Sequence, residues 1–183
     1  MTYLCSAVTT ESRHYKNRVI MIMAISLMML LGVVSCSSEN VNNSTIPVLD
    51  LDRYLGKWYE IARFDHSFER GITNATAVYS MRSDGKIEVV NSGMKNGKFK
   101  SSTGKAKTTG KPAVLRVSFF GPFYSDYRIL MLSPDYSYAM IGSGSSKYLW
   151  ILSRRPAIPG SIKDDILREA RLRGYDTGRL IWV

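Results

Sequence analysis

Apolar and polar positions between residues 57 and 154 form short runs separated by turn signals such as Ser-Asp-Gly and Asn-Gly. The runs are rich in Val, Ile, Tyr and Phe, which favour a pleated strand. Tight turns at even spacing between such runs predict an antiparallel meander. We predict eight strands, at residues 57–65, 74–82, 86–93, 98–107, 113–120, 125–132, 136–142 and 147–154.

Helical spacing replaces this pattern after the last predicted strand. Apolar side chains there recur every three or four residues, which predicts one amphipathic helix over residues 161–173. Ser161 is the predicted N-cap and Gly174 the predicted stop. Residues 179–183 predict a short final strand. The apolar stripe of the helix consists of Ile162, Ile166, Leu167 and Ala170.

A sheet of sequential strands has two exposed edges unless it closes on itself. A closed sheet of eight strands has room inside for side chains or for one small ligand. The predicted fold is therefore all-β. We expect an eight-stranded antiparallel up-and-down β-barrel, with one C-terminal α-helix packed outside and a short final strand.

Residues 19–34 form an almost uninterrupted apolar run that follows the basic residues Lys16 and Arg18. This order is typical of a secretory signal, which we assign to residues 1–35. A helix of that run is about 24 Å long, which is shorter than the roughly 30 Å hydrocarbon core of a bilayer. A retained membrane anchor is therefore the weaker alternative.

Residues 33–36, Val-Val-Ser-Cys, resemble the lipobox of bacterial lipoproteins. The resemblance implies that Cys36 is acylated and becomes the first residue of the mature chain, and Ser37 implies the outer membrane as its destination. An unmodified cysteine after an ordinary cleavage site is the alternative. We expect residues 36–46 to be the lipidated cysteine with a flexible tether, and residues 47–183 to be the barrel domain.

Cysteine and histidine content excludes several kinds of site from the predicted barrel. Cys5 and Cys36 both precede it, so a disulfide, a Cys-ligated zinc site and a Cys nucleophile are excluded there. A Ser-His-Asp triad would depend on His66 alone. We therefore expect a protein that is not an enzyme and has no metal or cofactor; haem binding through His66 is an alternative.

The formal charge of the chain is +10, which attracts anionic partners of any kind. Six lysines contribute to it within a Gly-, Ser- and Thr-rich stretch where Phe99 is the only aromatic residue that could stack on a nucleobase. We expect a solvated hairpin that anionic lipid headgroups can attract, and no nucleic-acid partner. The lysines are Lys95, Lys98, Lys100, Lys105, Lys107 and Lys111.

Three short motifs resemble the signature blocks of the lipocalins. They are Gly-Lys-Trp at residues 56–58, Ser-Asp-Tyr at residues 125–127, and Arg154 at the end of the eighth predicted strand. Residues 117–124 and the terminal Leu-Ile-Trp-Val resemble in particular the bacterial outer-membrane lipoprotein lipocalins. The resemblance covers the whole predicted domain and agrees with the lipobox.

The lipocalin resemblance implies a carrier or store of small hydrophobic molecules, with fatty acids and lysophospholipids as the ligand class. It implies the periplasmic face of the outer membrane as the location and a part in cell-envelope maintenance. The alternatives are a lipocalin-fold enzyme that acts on a lipid or isoprenoid through Glu60 with Tyr79 or Tyr127, and a structural lipoprotein with a filled barrel. The sequence leaves open whether the domain forms a homodimer.

Trp58 and Arg154 are predicted to close one end of the barrel, because an indole fills space and offers its face to a guanidinium. With Trp58 inward, strand alternation and the family pattern assign the side chains that face a ligand. The seventh strand stays ambiguous between Ala139 with Ile141 and Tyr138 with Met140. The predicted ligand-binding side chains are Glu60, Ala62, Phe64, Ala75, Ala77, Tyr79, Met81, Ile87, Val89, Tyr127, Ile129, Met131, Tyr148 and Trp150.

Glu60 is the one charged side chain in this set, and an inward carboxylate needs a partner or a raised pKa. The sequence does not identify that partner. Tyrosine hydroxyls with water, or a ligand or proton-transfer role, are both open. Residues 66–72 should form a loop over the mouth of the barrel, with Phe68 and Ile72 near the ligand.

Overall fold

The described residues form one antiparallel sheet that closes on itself. The computed structural model describes residues 41–183. Its strands are β1 (Gly56–Phe64), β2 (Ile72–Met81), β3 (Ile87–Lys95), β4 (Lys98–Thr108), β5 (Val114–Phe120), β6 (Phe123–Leu132), β7 (Tyr138–Gly142), β8 (Leu149–Ser153) and β9 (Leu180–Trp182). Consecutive strands from β1 to β8 pair with each other, β8 pairs back to β1, and β9 lies beside β1. The predicted barrel is confirmed.

Within residues 41–183, two α-helices flank the barrel: α1 (Leu51–Tyr54) leads into β1, and α2 (Gly160–Leu172) follows β8. The predicted Ser161 cap is wrong, because α2 begins one residue earlier behind Pro159, whose ring fixes φ at −59° without an N–H to satisfy. Gly174, at φ 88°, takes the conformation predicted for the stop. No helix within residues 41–183 has both the length and the apolar character to span a bilayer.

The two ends of the barrel differ in their connections. The end where α1 enters β1 is called the closed end here. Among β1 to β8, odd-numbered strands run away from it and even-numbered strands return, so the connections after β1, β3, β5 and β7 all lie at the other end, called the open end. The loop after β1 comprises residues 65–71.

Buried apolar side chains form two clusters, one on each face of the sheet. The inner cluster fills the barrel around Trp58, Ile87 and Ile129. The outer cluster lies between the barrel and α2, and it buries Ile166 and Ala170 of the helix completely. Helix and barrel therefore share a core outside the sheet, as predicted.

β-Bulges in β1 and β6 reverse the side-chain alternation. Glu60 pairs with Leu152 but Ala62 pairs with Ile151, so Ile61 is an extra residue, and β6 has a similar register shift between Ile129 and Met131. Beyond a bulge, the residues expected inside lie outside. The predicted inward positions of Ala62, Phe64 and Met131 are therefore wrong, since all three pack in the outer cluster.

The ambiguous strand β7 has a definite orientation. Ala139 and Ile141 belong to the inner cluster, whereas Tyr138 and Met140 pack outside. Alternation is regular here, so one of the two alternatives from the sequence holds along the whole strand.

β1 changes partners along its length. Residues 56–59 pair with β2, but residues 62–64 pair with β9. Beyond β9, the Val183 N–H donates to the Ile61 carbonyl oxygen at 3.1 Å. The last residues of the chain therefore form the wall beside β1 toward the open end, where β1 and β2 part.

Residues 41–46, which the prediction assigns to the tether, are hydrogen-bonded to the domain. The Asn42 N–H donates to the Arg173 carbonyl oxygen at 2.8 Å, and the Ile46 N–H donates to the Ile129 carbonyl oxygen at 3.0 Å. The Arg173 guanidinium donates a hydrogen bond of 2.7 Å to the Ser44 carbonyl oxygen. The predicted signal peptide and Cys36 lie outside the described residues.

Candidate ligand-binding site

The Arg154 guanidinium stacks on the Trp58 indole at the closed end of the barrel. The Arg154 guanidinium carbon lies 3.8 Å from the centre of the Trp58 ring, so the predicted contact is present. Trp58 is fully buried, and its indole N–H donates to the Tyr54 carbonyl oxygen at 2.8 Å. The Arg154 guanidinium also donates, over 2.8–3.0 Å, to the carbonyl oxygens of Arg53, Tyr54, Leu55 and Lys57. The Arg154 side chain thereby holds α1 in place across the closed end.

Much of the barrel interior is filled by protein. Eight inner side chains there are at most 5% exposed, so solvent barely reaches them. Ile87, Val89 and Ile129 face inward as predicted, but other side chains cover them. A ligand touches them only if the core rearranges. The eight are Ile87, Val89, Ala106, Leu115, Ile129, Ala139, Ile141 and Leu152.

Other side chains around the inner cluster keep accessible surface. Five side chains that pack on the inner cluster remain half-buried: Ala77, Val117, Phe119, Tyr127 and Trp150. Ala75 and Tyr148 are also half-buried. We call this set the upper ring. It is the part of the predicted lining that a ligand can reach without moving the core.

Two features adjust the shape of the interior. At Gly104, a Cβ atom would lie 2.8 Å from the Phe119 ring, so glycine there leaves space for that ring. Met81 lies on the same face of β2 as Tyr79, but it is 47% exposed at the end of the strand and is not part of the inner cluster. Met81 is therefore poorly placed to line the interior.

Three tyrosine hydroxyls meet next to α1, at the closed end of the barrel. The Tyr127 oxygen lies 2.6 Å from that of Tyr54 and 3.0 Å from that of Tyr79. Burial raises the pKa of Tyr79 to about 12 and those of Tyr54 and Tyr127 well above the ordinary value. The hydroxyls therefore stay neutral and satisfy one another, and Tyr127 borders the accessible space.

The partner of Glu60 is Arg63, which the bulge in β1 turns inward. The Arg63 guanidinium donates to the Glu60 carboxylate, and both side chains are under 10% exposed. The same guanidinium donates to the carbonyl oxygens of Glu69 at 3.2 Å and Ile72 at 3.1 Å. The loop over the mouth is thus tied to β1 through Arg63. Sequence alternation placed Arg63 outside and so missed it.

Glu69 is a second carboxylate at this position. Its Oε2 atom accepts a hydrogen bond of 3.1 Å from the Trp150 indole and lies 3.9 Å from Nε of Arg63. The side chain comes from the loop, where no periodic pattern assigns an orientation, so the sequence offered no signal for it. Glu60, Arg63 and Glu69 together are called the mouth cluster.

Burial controls protonation in the mouth cluster. Desolvation, reinforced by the Glu69 charge and opposed by Arg63, raises the pKa of Glu60 to about 7. Burial also raises the pKa of Glu69. Burial and then Arg63 lower the pKa of His66 to about 4, so this histidine is neutral at pH 7. The group therefore holds or releases a proton near neutral pH at Glu60.

Aromatic rings cover the mouth cluster on the solvent side. His66 stacks on Phe68 with ring centres 4.2 Å apart, and it lies 5.1 Å from Trp150. Tyr148 and Trp150 are parallel at 5.8 Å. His66 is 8% exposed while Phe68 is 60% exposed, so Phe68 forms the outer surface of the loop. Within residues 41–183, His, Cys, Asp and Glu side chains form no group that could hold a metal ion.

A second opening lies outside the upper ring. It is a crevice of 330 Å³ at the closed end, between residues 47–51 and residues 108–115. It is lined by the segment that leads into α1 and by the β4–β5 connection. It is therefore separate from the mouth of the barrel.

A lipocalin-like domain model matches residues 49–183. The chain belongs to the lipocalin-like family. This lipocalin is 46% identical over 157 residues to the outer membrane lipoprotein Blc of Escherichia coli K12, covering 82% of this chain and 89% of that protein. It is 46% identical over 147 residues to Blc of Vibrio cholerae, covering 76% and 86%. It is 34% identical over 154 residues to temperature-induced lipocalin-1 of Arabidopsis thaliana, covering 78% and 83%.

Solved structures with the same fold are more distant in sequence. Lobster apocrustacyanin A1 superposes with a TM-score of 0.62 at 18% identity, covering 73% of this chain and 78% of that chain. The cockroach allergen Per a 4 superposes with a TM-score of 0.64 at 20% identity, covering 79% and 94%. These neighbours support the fold of the lipocalin, not its ligand.

Proposed function

We propose that this lipocalin binds, stores or transports small hydrophobic molecules in the upper ring, with fatty acids and lysophospholipids as the ligand class. The observation that carries the proposal is the contrast inside the barrel between fully buried side chains and apolar and aromatic side chains that keep accessible surface. Such a lining suits an acyl chain. Tyr127 and the mouth cluster offer polar partners for a head group.

The proposed binding residues follow from accessibility. Ala75, Ala77, Tyr127, Tyr148 and Trp150 keep accessible surface and are proposed to contact the ligand directly. Glu60, whose side chain is under 10% exposed, is proposed to contact the head group as part of the mouth cluster. Tyr79, Ile87, Val89 and Ile129 support them from below. The role is binding rather than catalysis, because the charged groups of the mouth cluster are occupied with one another and with backbone carbonyls.

We further propose that acyl chains on Cys36 anchor the protein in the outer membrane, with the domain on the periplasmic side. The lipobox supports this, as do the relatives that are named outer membrane lipoproteins. Several acyl chains exceed what stable attachment to a bilayer requires. A role in cell-envelope maintenance would follow from lipid binding at that place.

Tryptophan fluorescence tests ligand binding. Trp150 borders the upper ring, Trp58 is buried at the closed end, and Trp182 lies on β9 and is 39% exposed. Titration of delipidated residues 37–183 with a fatty acid or a lysophospholipid should give a saturable change at micromolar concentration. Trp150→Phe should remove most of that change, whereas the control Trp182→Phe should keep it. No change in the unmodified domain, together with no co-purifying lipid, would refute the proposal.

The filled part of the interior also favours a second candidate, a structural lipoprotein without a ligand. Lipid extraction from protein purified out of its own membrane separates the two. Mass spectrometry should detect a stoichiometric fatty acid or lysophospholipid apart from the acyl chains on Cys36. Protein free of such lipid, with a titration that is also flat, would favour the structural role.

A further inference from the structure

Four phenylalanines stand exposed at the open end. Phe68 is 60% exposed, Phe99 68%, Phe120 78% and Phe123 79%. They lie in or beside the connections after β1, β3 and β5, which the up-and-down topology brings to the same end. Single exposed apolar residues are ordinary, but several large rings on neighbouring loops indicate an interaction surface.

The β5–β6 connection holds two of these rings at its tip. Phe120 pairs with Phe123 across the two residues Gly121 and Pro122. Gly121 has φ 54° and Pro122 has a fixed φ, so the turn is stiff. Directly opposite residues of paired strands share a face, so the two rings lie on the same side of this hairpin.

The charge at this end is positive. Residues 95–100 and 143–148 contain four lysines and no acidic residue, and residues 118–125 carry no charge. In the β1–β2 loop, Asp65 is paired with Arg70. Exposed aromatic rings beside lysines match an anionic bilayer, because rings enter the headgroup region and lysines attract its charge. The lysines are Lys95, Lys98, Lys100 and Lys147.

The chain also enters the domain on this side. The Asn43 side-chain amide donates to the Ser143 carbonyl oxygen at 3.2 Å, and Ser143 follows β7 at the open end. Cys36 precedes Val41 by five residues, and five residues span at most about 18 Å. Acyl chains on Cys36 would therefore hold the open end close to the bilayer. This last argument rests on the anchoring proposed above.

We propose that the open end of the barrel docks on an anionic lipid bilayer, with Phe120 and Phe123 inserted at the headgroup level and Phe68 and Phe99 beside them. The mouth then faces the membrane rather than the periplasm. A ligand passes between the bilayer and the upper ring without crossing water.

A nitroxide label measures the depth of each end. The sequence has no cysteine after Cys36, so Phe123→Cys introduces a single free thiol into the acylated protein. The control Val48→Cys places the label on a residue that is 76% exposed at the closed end. In vesicles of phosphatidylethanolamine and phosphatidylglycerol, the accessibility of each label is measured to oxygen and to a water-soluble nickel chelate. The ratio of oxygen accessibility to chelate accessibility should be several-fold higher for the label at 123 than for the label at 48. Equal ratios, or the reverse order, would overturn the proposal.

Charge removal tests the anionic partner. Exchange of Lys95, Lys98 and Lys100 for glutamine should bring the label at 123 closer to water, and so should vesicles of phosphatidylcholine alone. The matched control removes three lysines at or near the closed end, with Lys57, Lys86 and Lys111 exchanged for glutamine, and should leave the depth unchanged. If the depth of the label at 123 changes neither with lipid charge nor with the exchange of the three open-end lysines, an electrostatic contribution is refuted. Docking on an anionic surface is then refuted as well.

Flotation separates this inference from the anchoring. If acylated protein floats with vesicles while the label at 123 stays in water, the anchoring through Cys36 is correct and the docking of the open end is refuted. If the protein does not float and the label at 123 stays in water, both the anchoring and the docking are refuted. Ligand binding is measured independently through Trp150.

Discussion

Two arginines at opposite ends of the interior show what single residues contribute. Arg154 could be predicted, because the signature motifs name both it and Trp58 and an indole is a natural partner for a guanidinium. Arg63 could not, because its orientation depends on a bulge that no local pattern marks. The partner of Glu60 therefore appeared only in the structure.

Arg154→Lys should destabilise the domain by about 2–4 kcal/mol, because an ammonium cannot both cover the Trp58 ring and reach several backbone carbonyls. Urea unfolding followed by far-ultraviolet circular dichroism measures the loss. The neighbouring exposed Arg155 provides the control, since Arg155→Lys should change stability by less than about 0.5 kcal/mol. Similar midpoints for both variants would contradict the proposed closure by Arg154.

Glu60→Gln should alter how stability depends on pH. Because the pKa of Glu60 is raised from 4.5 to about 7 by folding, the folded state holds the proton more tightly. The raised pKa adds about 3 kcal/mol to the free energy of unfolding below pH 4.5. This contribution is lost as the pH rises toward 7. The wild type should therefore lose stability relative to Glu60→Gln between pH 4.5 and 7, as measured by urea titrations at each pH. Parallel curves would show that Glu60 ionises normally.

At the scale of elements, strands and helix were predictable, and the faces of some strands were not. Turn residues and apolar runs placed all eight barrel strands, and helical spacing placed α2. The bulges in β1 and β6 escaped prediction because both faces of these strands are apolar: one contacts the inner cluster and the other contacts α2. A reversal of alternation leaves no trace in such a sequence.

The contact between β4 and β5 gives a prediction at this scale. Gly104→Ala should destabilise the protein by about 1–3 kcal/mol, because the new Cβ would lie 2.7 Å from the Ser118 carbonyl oxygen and 2.8 Å from the Phe119 ring. Thermal unfolding measures the effect. Gly110→Ala is the matched control, since a Cβ there meets no atom within 4 Å. A loss at Gly110 equal to that at Gly104 would point to backbone strain instead of crowding.

At the scale of the whole molecule, the barrel interior is divided into a filled part and an accessible part. The sequence predicted a closed end and an apolar interior, but not how much of the interior is filled. That extent depends on how side chains from all eight strands pack together, which no single strand encodes. It sets how much of an acyl chain the protein can enclose.

Adjacent core residues on opposite faces of β6 test this division. Ile129→Ala removes volume from the inner cluster and should deepen the site, so that the tightest-binding fatty acid shifts to a longer chain. Leu130→Ala removes a similar volume from the outer cluster and should leave the preferred length unchanged. Each should cost about 2–4 kcal/mol of stability. Titration of a chain-length series with Trp150 as reporter gives the result, and an identical preference in both variants would contradict the division.

The pairing of β9 with β1 has a consequence for folding. The wall that parts β1 from β2 near the mouth is built from residues 180–183, up to the bond between Val183 and Ile61. The paired segments, residues 62–64 and 180–182, are far apart in sequence, so joining them closes a long loop at an entropic cost. We expect this seam to close late in folding, after the strands that pair with their neighbours along the chain, so the binding compartment is completed among the last steps.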